Sequence, residues 1–339
     1  MSGRVLVTGG SGYIAGFLIR QLLETGWEVH TTIRDLKREV EVRRWLQVDN
    51  DRLSFFAADL TSDAGWPAAV AGCSHVAHVA SPLPSNAVKN ADELVVPARD
   101  GALRALRFAR EAGVTRVVMT SSVAAVAYGH PPARTVFSEA DWTNLSDGAV
   151  QAYPRSKTVA ERAARDWIIA EGNGLELVTI NPSLVLGPVL APDFSASVEV
   201  VRRLLAGTMP GLPPIGFGVV DVRDVADLHV RALTAPGIAG ERFIASGPFI
   251  QMIDLAGILR DALGLEARRV PTRRLPGWLL RIVAVFDPMV RQVTGEIGRT
   301  RATPATHAHD VLGWTPRPAE DTIIDTARSL IDTGVVTVS

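Results

Sequence analysis

Residues 4–23 read RVLVTGGSGYIAGFLIRQLL, and this stretch decides the fold. Residues 5–7 form a short apolar run that is typical of a fully buried strand, and an amphipathic helix pattern follows the glycines. Gly9, Gly10 and Gly12 lie between the two. Glycine lets the backbone turn sharply and lets a diphosphate approach bare main chain at the helix N-terminus, where unpaired N–H groups and the helix dipole favour anions. The stretch therefore predicts a dinucleotide site near the start of the chain.

Size and composition narrow the class of protein. The 339 residues exceed one comfortable core, which favours two lobes. The net charge is -1, the pI is about 6.7 and no run of like charges stands out, so we expect a small-molecule partner rather than nucleic acid or a membrane surface. The single cysteine, Cys73, lies in an apolar neighbourhood and excludes an intramolecular disulfide. Together with the lack of an apolar run near 20 residues and of a signal peptide, this predicts a cytoplasmic protein.

Alternating strand and helix patterns continue along the chain. The predicted strands are residues 28–33, 53–57, 75–80, 115–120 and 175–181, and the longest helical patterns between them are 86–113 and 151–171. This alternation predicts an α/β protein with a doubly wound parallel (Rossmann) sheet. We expect residues 1–182, joined by about 216–240, to bind the dinucleotide. Residues 183–215 and 241–339 then form a smaller α/β substrate lobe.

The end of the second predicted strand indicates which dinucleotide binds. This position faces the adenosine ribose in a doubly wound sheet, and it holds Arg34. A guanidinium can bind a 2'-phosphate with two hydrogen bonds, whereas a carboxylate would bind the ribose hydroxyls of NAD. Arg34 therefore favours NADP(H), although the adjacent Asp35 could take the acidic role. Arg38 is a second candidate contact, or part of a solvated helix face.

The groups that suggest a reaction come later in the chain. Tyr153 and Lys157 are four residues apart on one face of the 151–171 helix, and Pro154 places them in its first turns. An ammonium near a phenol favours the phenolate and lowers its pKa, so that Tyr153 can donate a proton to a carbonyl. Ser122 follows the strand at 115–120, and Ser81 follows the strand at 75–80. All four then lie at the carboxyl edge of the sheet, where ligands bind.

These motifs together resemble the extended short-chain dehydrogenase/reductases. The chain has TGxxGxxA at residues 8–15, TSS at 120–122, YPRSK at 153–157 and NPxxVxGP at 181–188. The ASP turn at 80–82 and the Arg34 position look most like the dihydroflavonol-reductase-like aldehyde and ketone reductases. The resemblance implies reversible, NADP(H)-dependent reduction of a carbonyl to an alcohol, with hydride from the nicotinamide and a proton from Tyr153. It assigns Ser122, rather than Ser121, to the developing alkoxide, and Lys157 to the nicotinamide ribose.

The resemblance also implies binding residues. Those for the cofactor are Thr8, Gly9, Ser11, Gly12, Tyr13, Ile14, Arg34, Arg38, Asp59, Leu60, Val79, Ala80, Ser81, Thr120, Tyr153, Lys157, Pro182, Ser183 and Val185. Those for the substrate are Ser81, Pro82, Leu83, Val123, Phe194 and Phe217. Many relatives carry an Asn three residues after the glycine that corresponds to Gly101, but Arg104 stands there, so a fourth catalytic residue is not expected. A homodimer through the two longest helices is a further family-level expectation.

Three other functions fit parts of the sequence. A 3β-hydroxysteroid-type dehydrogenase shares the YPxSK motif and stays open. A sugar-nucleotide epimerase or dehydratase is disfavoured by Arg34 and by the apolar residues 123–125, which cannot act as acid or base. A cofactor-sensing regulator is disfavoured because Tyr153 and Lys157 are both present. No metal site is expected, since the histidines have no third ligand at metal spacing.

Overall fold

The computed structural model describes residues 3–48, 51–82, 90–191, 194–286 and 294–337. In chain order the strands are β1 Arg4–Val7, β2 Glu28–Ile33, β3 Leu53–Ala57, β4 His75–His78, β5 Arg116–Thr120, β6 Glu176–Pro182, β7 Leu184–Leu186, β8 Gly216–Asp221, β9 Arg242–Ala245 and β10 Phe249–Gln251. The helices are α1 Tyr13–Glu24, α2 Glu39–Leu46, α3 Trp66–Val70, α4 Asp92–Glu111, α5 Ala152–Glu171, α6 Ala196–Leu205, α7 Val222–Thr234, α8 Met252–Leu263, α9 Gly277–Phe286, α10 Thr306–Leu312 and α11 Ala319–Asp332.

A seven-stranded sheet confirms the predicted doubly wound fold. Its order is β3-β2-β1-β4-β5-β6-β9, and every pair in it is parallel. The order reverses between β1 and β4, so their carboxyl ends form the switch point at which ligands bind in such sheets. Side chains of β1 alternate between two cores: Val5 and Val7 pack toward α1 and α7, whereas Leu6 packs toward α4 and α5.

A second, three-stranded sheet has the order β10-β8-β7. Buried residues of α6, α8 and α11 pack with it in a separate core. Two strands pair differently from the sequence-based division into lobes. The part expected to bind the dinucleotide includes about 216–240, but β8 pairs with β7 and β10, and it is α7 after it that packs on the large sheet. Conversely, β9 is the edge strand of the large sheet beside β6.

The starts of two helices, α4 and α7, are defined by the structure more closely than by the sequence patterns. The pattern over 86–113 becomes α4 from Asp92, and residues 83–89 lie outside the described part of the chain. Asp221 caps α7 by accepting a hydrogen bond from the Arg223 amide at 2.8 Å. Asp224 instead binds the Arg317 guanidinium at 2.8 Å. Within the described ranges, no helix is both long and apolar enough to cross a membrane.

Candidate active site

The glycine turn after β1 has the form that a bound diphosphate needs. Gly9 has φ +75°, and a Cβ on it would lie 3.0 Å from the Cβ of Ala80. A Cβ on Gly10 would lie 2.2 Å from the Thr31 hydroxyl oxygen. Gly12 is the N-cap of α1 and offers no side chain to the N–H groups of the first turn. Those groups are therefore free to bind an anion.

Side chains next to this turn hold its shape. The Thr8 hydroxyl is fully buried, accepts a hydrogen bond from the Ala80 amide at 3.0 Å and lies 3.0 Å from His78 Nδ1. The Tyr13 phenol donates to the Gly187 carbonyl at 2.8 Å, and burial raises its pKa well above the usual value. Both residues were predicted to bind cofactor. Their side chains are used within the protein, so any contact they make with a diphosphate comes from their main chain.

The structure at the adenosine end distinguishes between Arg34 and Asp35, the two residues that the sequence suggests for contact with the ribose. Arg34 is exposed and makes no hydrogen bond or ion pair with any described residue. The Asp35 carboxylate accepts a hydrogen bond from the Lys37 amide at 3.0 Å, as the N-cap of a short 3-10 helix, and so has a structural role. Arg38 binds Glu41 at 3.0 Å and lies over the Trp45 ring. Arg34 is therefore the guanidinium best placed for a 2'-phosphate.

Asp59 and Leu60 follow β3, beside Arg34. The Asp59 carboxylate accepts hydrogen bonds from the Thr61 hydroxyl at 2.5 Å and the Thr61 amide at 2.8 Å. These bonds, helped by the positive charge of nearby Arg34, hold the pKa of Asp59 below its usual range. Arg104, at the position where relatives carry Asn, binds the Leu60 carbonyl and Asp63. Its guanidinium thus stabilises the adenosine-side loop and takes no place beside the reaction groups.

The predicted reaction groups lie on β5 and α5. Ser122 ends the β5 segment, is almost buried, and its hydroxyl accepts from the Ala124 amide at 3.1 Å. Tyr153 is 40 % exposed in the first turn of α5. Lys157 is buried one turn later, and its ammonium donates to the Thr120 carbonyl at 3.5 Å. The structure thus brings the predicted acid, hydrogen-bond donor and ammonium to one edge of the sheet.

The pKa of the phenol moves in the opposite direction to the one expected from the sequence. Burial raises the pKa of Tyr153, while a hydrogen bond with the Ser122 hydroxyl opposes the rise. Burial also lowers the pKa of the Lys157 ammonium to about 8, against the opposing charge of Glu161. The loss of water around both groups depends on the folded surroundings, and a pattern of charges along the sequence does not show it.

Several buried polar residues behind the reaction groups were missed by the sequence analysis. Glu161, one turn after Lys157, accepts hydrogen bonds from Ser121 and Asn181 and forms an ion pair with Arg242. His229, on α7, lies 2.7 Å from the Thr120 hydroxyl. The spacing of Glu161 from Lys157 was the one local signal available. The partners come from distant parts of the chain, so only the fold brings them together.

Two fully enclosed histidines, His78 and His229, fit packed, neutral side chains. Burial lowers the pKa of both His78 and His229 to about 4. Since His229 Nδ1 lies 2.7 Å from the Val225 carbonyl, it carries the proton, and Nε2 accepts from Thr120. His307 lies on α10, and its Nε2 contacts Glu241 at 2.9 Å. In the described ranges no group of three or more metal-ligating side chains occurs.

The predicted substrate residues fall into two groups. Ser81 and Pro82 line a small cavity together with His78, Thr120 and Lys157. Val123 packs beside a separate small cluster around Phe137, and Phe194 and Phe217 pack against the core of the three-stranded sheet. Leu83 lies outside the described residues.

Three predicted cofactor contacts at the end of β6 and just after it also contact other parts of the protein. The Pro182 carbonyl accepts from the Ser122 hydroxyl at 3.4 Å, and the Ser183 amide donates to the Ala245 carbonyl at 3.0 Å. The Val185 side chain belongs to the core on the α1 side of the large sheet. Ile14 and Val79 are half-buried against that same core, and Ser11 lies in the turn before α1. As with Tyr13, Val185 can reach a cofactor only through its main chain.

Comparison with known proteins identifies similar chains. The model of the NAD dependent epimerase/dehydratase family matches residues 5–244. Cinnamoyl-CoA reductase CAD2 of Medicago truncatula is 37 % identical over 243 residues, which cover 70 % of this chain and 74 % of that one. Dihydroflavonol 4-reductase of Zea mays is 32 % identical over 268 residues, covering 76 % and 74 %. Among solved structures, yeast methylglyoxal/isovaleraldehyde reductase Gre2 complexed with NADPH superposes with a TM-score of 0.81, at 25 % identity, over 98 % of this chain and 100 % of that one.

Proposed function

Because the chain belongs to the NAD dependent epimerase/dehydratase family, we propose that it works as an NADP-dependent oxidoreductase that reduces the carbonyl group of an aldehyde or ketone to an alcohol. One observation carries the proposal. Tyr153, Ser122 and Lys157 lie at the same sheet edge as a glycine turn that no larger residue could replace without strain. The relatives named above are reductases, which supports the same reaction type.

The residues present fit the cofactor. The glycine turn leaves space where a Cβ on Gly9 or Gly10 would clash, and Arg34 is exposed without a partner among the described residues. When bound, NADPH supplies the hydride. The main-chain N–H groups of residues 11, 13 and 14 would hold its diphosphate, since those of Gly9, Gly10 and Gly12 donate within the protein, and Arg34 would hold the 2'-phosphate.

Each reaction group then has a distinct task. Tyr153 donates a proton to the carbonyl oxygen, because its hydroxyl is protonated at neutral pH and the residue as a whole is 40 % exposed, so that a substrate can reach it. The Ser122 hydroxyl donates a hydrogen bond to the same oxygen as negative charge develops on it. The Lys157 ammonium lies one turn from Tyr153 and favours loss of the phenolic proton at the moment of transfer.

The epimerase and dehydratase alternatives require an acid or base close to the reaction groups. Residues 123–125 form a 3-10 helix of valine and alanine, directly after Ser122. These side chains carry no proton to exchange. Within the family, the site therefore supports a reductase better than an enzyme that moves protons on carbon.

The test is a comparison of cofactor oxidation with several carbonyl classes. Loss of absorbance at the reduced-nicotinamide band is followed with NADPH and NADH in parallel, against aromatic aldehydes, ketoesters, diketones and steroids. We expect NADPH-dependent turnover of at least one aldehyde or ketone, and Tyr153→Phe should abolish it while NADPH still binds. Turnover confined to steroids would support the 3β-hydroxysteroid alternative. Turnover retained by Tyr153→Phe would contradict the proposal.

Two further expectations belong to this proposal. A cytoplasmic location is supported by Cys73, which is buried and unpaired and whose pKa burial raises to about 12, so that the thiol suits a reducing compartment.

The proposed homodimer would form through α4 and α5, and Ile169 of α5 is a large apolar side chain left exposed there. The molar mass in solution, measured by light scattering, tests this arrangement.

A further inference from the structure

Glu161 is a buried carboxylate that the proposed reaction does not use directly. It lies on α5 one turn after Lys157 and is 0 % exposed. Its two oxygens accept four bonds. The donors are Ser121 Oγ at 2.5 Å, Asn181 Nδ2 at 2.9 Å, Thr179 Oγ1 at 3.1 Å and Arg242 Nε at 2.6 Å.

These donors come from three neighbouring strands of the large sheet. Ser121 directly follows β5, Asn181 lies in β6, and Arg242 begins β9. The Asn181 amide also donates to the Ser122 carbonyl at 3.2 Å. The carboxylate therefore joins the helix of Tyr153 and Lys157 to the strand end that carries Ser122, through contacts on both sides of that serine's peptide.

We propose that Glu161 is a positioning residue for carbonyl reduction, which holds the Ser122 strand end against α5 and supplies the counter-charge that keeps the Lys157 ammonium protonated. This inference rests on the proposed function of the site. Glu161 need not touch substrate or cofactor, because it acts through Lys157 and through the Ser121–Ser122 peptide.

The buried polar network around Glu161 contributes little to the free energy of folding, and parts of it reduce stability. Burying an ion pair stabilises a fold little, because both ions lose water, and an unpaired buried polar atom adds a further cost. Asn181 Oδ1 and one guanidinium nitrogen of Arg242, its NH2 group, are buried without a partner among the described residues. A core selected only for stability would avoid these losses, which favours a role in the reaction.

The charges around Lys157 determine the direction of the expected effect. Glu161 and His78 line the same small cavity as the ammonium, and His78 is neutral above about pH 4. Arg242 and Arg165 lie near Glu161 and partly offset its charge. Burial lowers the pKa of Lys157 to about 8, and Glu161 is the group that opposes this shift. Without the carboxylate charge, the ammonium should lose its proton at lower pH.

A direct test measures Lys157 without any turnover. The chain has three lysines, Lys37, Lys89 and Lys157, so 13C labelling of the lysine ε carbon gives a spectrum simple enough to titrate. We expect the Lys157 midpoint near pH 8 in the protein and about 1 unit lower in Glu161→Gln. Glu176→Gln is the matched control, since Glu176 also pairs with a buried arginine, Arg116 at 2.6 Å, but at the opposite end of β6. It should leave the midpoint unchanged.

The kinetic test uses the pH dependence of kcat/KM, which reports groups in the free enzyme. Reduction requires protonated Tyr153 and Lys157, so activity falls as the pH rises through their pKa values. In Glu161→Gln this fall should begin about 1 unit lower, so that about half of the Lys157 ammonium is deprotonated at pH 7 and kcat/KM there drops about twofold, with NADPH affinity within about threefold. Since the single change removes the ion-pair partner of Arg242 and could prevent folding, Glu161→Gln/Arg242→Met removes both charges; it should show a shift in the same direction but smaller, because Arg242 partly offsets the charge of Glu161.

The outcomes separate the inference from the proposed function. A folded Glu161→Gln or double variant with the same Lys157 midpoint and the same pH profile as the unaltered protein would overturn the positioning role. A shifted midpoint in a protein that reduces no carbonyl would leave the effect on Lys157 intact and contradict the proposed function instead. A shift of equal size in Glu176→Gln would show that any broken arginine pair has this effect, and would also overturn the assignment to Glu161.

Discussion

The two ends of the candidate site are built in different ways. The adenosine end consists of bare main chain around Gly9 and an exposed guanidinium, Arg34. The reaction end consists of buried side chains that bond to one another, such as Glu161 with Ser121 and Arg242. Exposed, separate groups contribute nearly independent binding free energies, whereas groups in one buried network depend on each other. Substitutions at the two ends should therefore differ in how large their effects are and in how many other residues of the site they affect.

After the loss of turnover in Tyr153→Phe, the largest effect is expected at the reaction end, from Ser122→Ala. This change removes the hydrogen bond that the proposed mechanism gives to the developing alkoxide, and the cost should be about 100-fold to 1,000-fold in kcat/KM. NADPH affinity should stay unchanged, because the serine hydroxyl is nearly buried and bonds to the Ala124 amide and the Pro182 carbonyl. Steady-state kinetics and a fluorescence titration of NADPH measure the two quantities. An equal loss in both would remove the distinction between the two ends.

The next effect concerns acid stability, to which buried histidines near the reaction end contribute most. Burial lowers the pKa of His78 and His229 to about 4, below the value of about 6.5 expected in the unfolded chain. The unfolded state thus binds protons first, so their contribution to stability is complete above about pH 6.5 and is lost as the pH falls toward 4. We expect the free energy of unfolding to fall by about 3 kcal/mol between pH 7 and pH 5.

Urea unfolding at the two pH values checks this expectation. His229→Gln should remove somewhat less than half of the pH dependence, since one of the two most strongly shifted histidines is gone. His30 and His75 are shifted in the same direction by burial and account for part of what remains. An unaltered pH dependence in His229→Gln would mean that other groups control acid stability.

At the adenosine end, Arg34→Asp should reverse the cofactor preference. Loss of a charge-assisted contact with the 2'-phosphate should raise the KM for NADPH about 30-fold, and the new carboxylate can bind the ribose hydroxyls of NADH. Arg38→Ala is the control, because Arg38 already binds Glu41 and the Trp45 ring. It should change the KM about twofold. An unchanged preference in Arg34→Asp would mean that another group binds the phosphate.

The sequence predicted the features that depend on short spacings. The strand that precedes Gly9, the position of Arg34 after β2 and the four-residue step from Tyr153 to Lys157 are local, and the structure places each where it was expected. Asp221 and Asp224 show the limit of local patterns, since either could cap α7 and only the position of Arg317 separates them.

The features that the sequence did not predict depend on contacts between distant segments. The ion pair of Glu161 with Arg242 spans 81 residues, and no spacing rule connects the two. The sheets to which β8 and β9 belong also could not be predicted, because an apolar strand pattern does not show which strand it pairs with. The direction of the Tyr153 pKa shift depends on how much protein surrounds the hydroxyl, which charge counting along the sequence omits.

The smallest predicted effect comes from a substitution that changes only the main chain at the adenosine end. Gly9→Ala forces an alanine into φ +75° and places its Cβ 3.0 Å from that of Ala80, so the turn must shift where the diphosphate would bind. Gly113→Ala is the matched control, with φ +72° and nothing within 4 Å of its Cβ. Both should lose about 1 kcal/mol of stability, because the backbone strain is similar. Only Gly9→Ala should weaken NADPH binding, by about tenfold, with kcat at saturating cofactor unchanged. Equal affinity for NADPH in the two variants would show that the turn after β1 does not hold the cofactor.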